Sequence, residues 1–279
     1  MVLLSHTYIK IMPVNGITVS KNDGFVVCYI DSFSEEIKEL IRNELAAICH
    51  GKNQVEEDTL GHYSYRKTLE DFLNRYSRKD GNTKKGMIGE FLAHLIICRV
   101  LDYLKPISIF FNKEEISIKK GFDLNYVEKD GDSIWYGEIK SGEVTEGIHY
   151  DDKNTDLLNL AKKDMAKYHQ AERAHLWESV ISDAMRSFAA GESKRVQDLL
   201  KMDLQDLQRG DGAKKNAILI SVLFHTTDEM LDPKKIKEKL SSIITEDLFS
   251  KVILFSIQKS TYQRIEAFMR EELANQSDV

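Results

Sequence analysis

Apolar residues recur along this chain with two periods. From residue 8 to 30 they cluster in short β-branched runs. Residues 8–19 are interrupted by Pro13 and Gly16, and 24–30 form a compact apolar stretch bounded by Asp23 and Asp31, the pattern of a buried strand. Helical spacing follows. Ser34 with Glu35 and Glu36 makes a start signal, Ile37, Leu40, Ile41, Leu45 and Ile48 make the buried face, and Gly51 makes the stop. Residues 52–61 read as a polar loop and 63–76 as a helix with Leu69, Phe72 and Leu73 inward. Residues 84–104 read as the longest helix, apolar nearly all round and so buried on more than one side. Gly86, Gly89 and Ala93 form a small-residue stripe on it, which predicts close approach to another backbone. A strand is predicted over 106–111, leading through polar 112–120 into a hairpin. After a polar loop at 142–154, residues 155–207 read as helical and heavily charged, with Trp177 and Phe188 as packing anchors and a turn at 209–212. Strands at 217–225 and 251–258 alternate with helices at 233–244 and 262–273, and the tail from 275 reads as frayed. Strands and helices in this order predict an α/β fold with a mixed sheet.

The hairpin spans 121–140 and turns at Asp130-Gly131. An Asp-Gly pair between β-rich runs signals a two-residue type I′ turn, which needs positive φ at both positions. That turn puts Asp123 directly opposite Glu138. Tyr136, Glu138 and Lys140 then share a face with Asp123 and Asn125, while Phe122, Leu124, Tyr126, Trp135 and Ile139 make an apolar core face. Facing carboxylates repel, and a hard divalent cation between them turns repulsion into attraction. Lys140 adds a positive charge one pleat away. Such a set suits phosphodiester hydrolysis, with a polarised phosphate, an activated water and a lysine to steady developing charge. The plainer reading of Glu138 and Lys140 is a solvated strand face with a weak ion pair. Glu90, beside the small-residue stripe, needs a partner. A cation, Lys140 or an ordinary salt bridge would each serve.

Charge and composition narrow the classes. The chain has 279 residues, 42% hydrophobic and 30% charged, with a net charge of −6. These are the proportions of a soluble globular protein, and any DNA-binding surface must be local. The best local candidate is the basic stretch Arg66, Lys67, Arg75, Arg78, Lys79, Lys84 and Lys85, interleaved with Tyr63, Tyr65 and Tyr76. Lys162, Lys163 and Lys167 are a second candidate. His149 reads as a surface residue. Three cysteines without a CxxC pair indicate free thiols and a reducing cytoplasm. Neither a signal peptide nor a membrane-spanning run is legible. The absence of a P-loop argues against ATP use by this chain.

The residues Asp123 and Glu138-Ile139-Lys140, with Glu90 on a preceding helix, resemble the PD-(D/E)xK nuclease superfamily. Phe122 stands where that pattern's name has proline. The runs 85–92, 121–123 and 137–141 (Lys-Gly-Met-Ile-Gly-Glu-Phe-Leu, Gly-Phe-Asp and Gly-Glu-Ile-Lys-Ser) are similar to HamA, the nuclease subunit family of the Hachiman antiphage defence system. The resemblance implies a restriction-endonuclease-like mixed sheet flanked by helices. It places an N-terminal α/β extension at 1–80, a nuclease core at 81–279 and a helical insertion around 171–208. It further implies a metal-dependent DNA nuclease that degrades DNA on infection and is restrained by a HamB-like superfamily 2 helicase. Mg2+ (or Mn2+) would be held by Asp123, Glu138 and the backbone carbonyl of Ile139, with Lys140 and Glu90 completing the catalytic set. Two other readings remain open on the residues alone: a non-enzymatic regulatory subunit that binds a helicase, and a DNA-repair or mobile-element nuclease.

Overall fold

A computed structural model describes residues 8–11, 14–111, 122–168, 175–210, 214–260 and 262–275. Pro13, the polar stretch 112–120, Gly121, positions 169–174 and 211–213 and the last four residues of the tail lie outside the described residues, as do the first seven.

Among the described residues, eight strands form one mixed sheet in the order β1-β2-β3-β8-β7-β6-β5-β4. The N-terminal strands β1 (Tyr8–Ile11), β2 (Ile17–Asn22) and β3 (Phe25–Ile30) pair in antiparallel fashion, β1 with β2 and β2 with β3. Through β3 they join β8 (Val252–Lys259) in parallel, so one sheet runs through the extension and the core. β8, β7 (Asn216–Phe224) and β6 (Ile134–Glu143) form the parallel centre. β5 (Leu124–Glu128) and β4 (Leu104–Pro106) close the far edge in antiparallel fashion.

Helices cover both faces, which is why the central strands read as unbroken apolar runs. Along β7, Ile218, Ile220, Val222 and Phe224 face one core, together with α1 (Glu35–His50), α3 (Tyr65–Ser77), α4 (Gly81–Val100) and α9 (Gln263–Asn275). Ala217, Leu219 and Leu223 face the other, together with α5 (Tyr150–Tyr168), α6 (His175–Ser187), α7 (Ala190–Arg209) and α8 (Pro233–Thr245). Ser221 on that second face is buried but satisfied: its hydroxyl donates to Asn154 Oδ1 at 2.6 Å and lies 2.9 Å from Ser256 Oγ.

Local signals mark several boundaries as expected. Ser34 Oγ accepts the Ile37 N–H to cap α1, and Gly51, at φ 94°, ends it. Elsewhere the structure departs from the sequence expectations. A short helix, α2 (Lys52–Glu56), occupies the predicted polar loop at 52–61. The predicted strand at 106–111 is confined to Leu104–Pro106. Beyond it Phe110 and Phe111 leave the sheet, their N–H groups donating to Ile48 and Cys49 carbonyls at the end of α1. α4 runs from 81 to 100, earlier than predicted, capped by Asp80 on the Thr83 N–H. α5 begins at Tyr150, inside the predicted loop, where Asp151 is buried and accepts the Asp232 N–H.

The small-residue stripe on α4 acts at one position. A Cβ on Gly89 would lie 1.8 Å from Ser141 Oγ, 2.9 Å from Ser141 Cβ and 3.4 Å from Val222 Cβ, whereas one on Gly86 would meet nothing within 4 Å. Gly89 therefore lets α4 lie directly on β6, one residue beyond Lys140. Gly89→Val is expected to lower stability by about 1–3 kcal/mol through overpacking, read as a drop in the urea midpoint at unchanged slope.

Candidate active site at the end of the hairpin

The β5–β6 register is the one predicted: Leu124 pairs with Gly137, Asn125 with Tyr136, Tyr126 with Trp135 and Val127 with Ile134. The turn is not. Neither Asp130 nor Gly131 has positive φ, so the type I′ geometry is absent. The ladder closes with Glu128 N–H to Ser133 O at 3.1 Å, leaving a four-residue loop at 129–132. Loops of two and four residues about one centre produce the same pairing, so the register survives the change of turn. α7 supplies the missing support: Arg195 Nη1 donates to Gly131 O at 2.7 Å and lies 3.3 Å from Asp132 Oδ1.

The predicted division of faces also needs correcting. Leu124, Tyr126, Trp135 and Ile139 belong to the α4 core as expected. Phe122 does not join them. β5 starts only at Leu124, and Phe122 turns to the opposite core, 4.6 Å from the Tyr136 ring, 4.7 Å from Trp177 and 4.9 Å from Tyr168 between centroids. The face carrying Glu138 is thus roofed by α5 and α6 rather than solvated.

On that face the predicted residues come together. Asp123, just ahead of β5, accepts the Ile139 N–H on Oδ2 at 2.8 Å, which continues the hairpin register with a side chain. Glu138 is 1% exposed. Its Oε1 accepts from Lys140 Nζ at 2.6 Å, while Oε2 is buried without a hydrogen-bond partner. Burial, and then the charge of Asp123, push the Glu138 carboxyl up to about 8. Burial opposes the charge on Lys140, but Glu138 and Asp123 outweigh it and hold the ammonium group above its ordinary range.

Whether a cation fits depends on that lone oxygen. A buried carboxylate oxygen with no donor, beside a second carboxylate, is stabilised by a hard cation. Among the described residues no group of three or more His, Cys, Asp or Glu side chains converges as a metal cage. Two carboxylates and a backbone carbonyl such as that of Ile139 fit an ion like Mg2+, which keeps several waters and takes one or two carboxylates. They do not fit a closed zinc site.

Glu90 is the remaining member of the predicted set. It lies on α4, and its charge acts on Tyr126 and Cys49, which belong to the core on the other face. It is not among the principal charges acting on Glu138 or Lys140. A cleft of about 610 Å³, lined in part by His94, Cys98, Arg99 and Lys105, includes neither Asp123 nor Glu138.

α5 brings two side chains that sequence reasoning missed. Asp164 Oδ2 lies 3.0 Å from Lys140 Nζ, and its Oδ1 accepts from Lys167 Nζ at 2.6 Å. Burial acts against the Asp164 charge, but the bonds from Lys167 and Lys140 win and hold its carboxyl below the usual range. Tyr168 is pushed up by burial, by the charges of Glu138, Asp123 and Asp164, and least by hydrogen bonding to Glu138, whose Oε2 stays without a donor. A signal was present: Asp164 and Tyr168 lie one turn apart, flanking the buried Ala161 and Met165. The lysines proposed for DNA divide. Lys162 is tied to Glu246 and Lys167 to Asp164, while Lys163 is exposed. In the basic stretch, Lys85 pairs with Glu143, and Arg75 lies 4.2 Å from the Phe111 ring centroid. Tyr65 and Tyr76 donate to Glu272 and Glu266 instead of offering open stacking faces.

A HamA family model matches residues 8–273. The chain belongs to the HamA family. The match takes in β1 as well as α9, so the strands of the N-terminal extension are part of what HamA proteins share. HamA membership suggests a subunit of the Hachiman antiviral defence system. No curated protein matches the chain. Among the described residues, no helix is long and apolar enough to cross a membrane.

Proposed function

We propose that this HamA family member is a divalent-metal-dependent deoxyribonuclease, the effector of a defence system in which a helicase partner delivers DNA and restrains cleavage. The observation that carries the reading is the division of labour at Glu138. One oxygen is engaged by Lys140, and the other is buried and lacks a donor. The order of elements agrees with the nuclease core implied by the motif: α4, the antiparallel strands β4 to β6, α5, then β7 parallel to β6.

Asp123 and Glu138 would hold Mg2+ (or Mn2+), with the Ile139 carbonyl as a further oxygen. Bound there, the ion would act as a Lewis acid toward phosphate and lower the pKa of water. Asp123 Oδ2 accepts the Ile139 N–H and thereby fixes its carboxylate against β6. Lys140 keeps a full positive charge at the edge of the site, placed to orient the attacking water and to stabilise charge developing on phosphate oxygens. The aromatic roof of Phe122, Tyr136 and Trp177 excludes solvent from beneath the acids. A net charge of −6 gives DNA little general attraction. With no P-loop in the chain, strand opening falls to the partner.

The test is plasmid and linear DNA cleavage with Mg2+ or chelator, by the chain alone and with the proposed helicase partner. Cleavage is expected to require Mg2+ and to fall at least about a hundredfold in Lys140→Ala. A complex that responds to DNA but cuts none at any Mg2+ concentration would instead make the chain a regulatory subunit.

A further inference from the structure

Lys140 has two anionic neighbours. Its ammonium lies 2.6 Å from Glu138 Oε1 and 3.0 Å from Asp164 Oδ2. The first contact is with a residue that must hold the cation. The second comes from α5, a separate element. Asp164 makes no other use of the site: its remaining oxygen takes Lys167. With an ammonium group on each oxygen, it is occupied as an acceptor and poorly placed to be a metal ligand.

A lysine on a flexible four-carbon stem is a mobile point charge. Without Asp164, the anions acting on Lys140 are Glu138 and Asp123. Both are the carboxylates a cation needs, so an unrestrained Lys140 becomes an internal competitor for it. With Asp164 in place, Lys140 is committed to Oε1, and Oε2 stays open.

We propose that Asp164 is the positioning residue of this site: it anchors the Lys140 ammonium against Oε1 of Glu138 and so reserves Oε2 for the cation. The inference rests on the nuclease reading and adds a part to it. Asp164 takes no part in bond making. It acts through Lys140, as residues behind metal ligands do when they orient the ligand and tune its charge. Its side chain is 32% exposed, so removing its charge leaves the core intact.

The experiment is a titration of the metal-free full-length protein with Mn2+, following free Mn2+ by electron paramagnetic resonance. The proteins compared are the parent, Asp164→Asn, Asp164→Glu, Lys140→Met and the Asp164→Asn/Lys140→Met double variant. Asp164→Asn is expected to weaken Mn2+ binding about 10–100-fold, the usual range for such outer residues. The Mg2+ needed for half-maximal cleavage should rise in proportion, with KM for DNA unchanged. Asp164→Glu should recover part of the loss. In the Lys140→Met background, Asp164→Asn should have no further effect on Mn2+, because nothing is left to restrain. Equal weakening in both backgrounds would make Asp164 a ligand and overturn the proposal, as would parental Mn2+ binding by Asp164→Asn. A parent that binds no Mn2+ and cuts no DNA would instead remove the nuclease reading itself.

Discussion

On the nuclease reading, Glu138→Gln is expected to lower Mg2+-dependent cleavage by about a thousandfold or more, while raising the melting temperature of the metal-free protein at pH 8. The loss follows from replacing a charged oxygen ligand by an amide at the buried position beside Asp123. The gain follows from the same burial. The folded protein lifts the Glu138 carboxyl to about 8, against an ordinary value of 4.5. A raised value means that the fold prefers the protonated form. The associated stability is complete below the ordinary value and is lost as pH climbs through the folded one. Between those limits the unfolded chain gives up the proton that the fold retains, so the parent loses stability progressively as pH rises. The glutamine amide would resemble the protonated acid at every pH. The stability gap should therefore be widest at pH 8 and close near pH 4.5. With allowance for relaxation, a gap of about 1–3 kcal/mol at pH 8 is expected, and each kcal/mol shifts the melting temperature by about 2–4 °C. On the same reading, Mg2+ should raise the melting temperature of the parent and not that of the variant, since only the parent would bind it. Scanning both proteins at pH 5 and pH 8, with and without Mg2+, checks all of this. A variant less stable than the parent at pH 8 without metal would show that the carboxylate is satisfied as it stands.

The largest effect on stability is expected from Trp177→Ala, at about 3–5 kcal/mol, as for other aromatic deletions from a core. Trp177 is fully buried on α6. Its Nε1 donates to Tyr136 Oη at 3.1 Å, and Tyr136 Oη donates to Asp203 Oδ2 on α7 at 2.5 Å. Asp203 Oδ1 accepts from Lys215 at 2.7 Å, just before β7. At its other end Trp177 stands edge-on to Phe122, with the rings 89° apart. α6 is thereby joined to the residue before Asp123. Chemical denaturation should show the destabilisation, and Mn2+ titration of the folded variant should show weaker binding because Asp123 loses its backing. Trp177→Phe keeps most of the packing, and Tyr136 keeps Asp203, so its cost should stay below about 1.5 kcal/mol. Comparable costs for the two substitutions would mean that the indole hydrogen bond, rather than the ring volume, carries the effect.

Much of the architecture could be read from the linear chain because its causes are local. β3, β7 and β8 announce themselves as unbroken apolar runs, α1 by its cap and spacing, and α4 by being apolar all round. The register that pairs Leu124 with Gly137, and so brings Asp123 to the Glu138-Ile139 end of the hairpin, needed only a centre of symmetry at 130–131 and the two-residue alternation of a strand. Those rules hold whatever the rest of the protein does, and they were enough to name the two acids and Lys140.

Distant contacts decided the rest. Arg195 of α7 holds the hairpin loop, so the Asp-Gly turn did not need the conformation its sequence favours. Phe122 broke the alternation because β5 starts after it and the aromatic roof attracts it. Asp164 reached Lys140 only because α5 packs back over β6, and β1 to β3 extended the sheet only because β8, more than two hundred residues away, offered β3 an edge. Alternation along a strand states which side chains share a face. It carries no information about which helix will cover that face, and the charge balance around Glu138 is set by that cover.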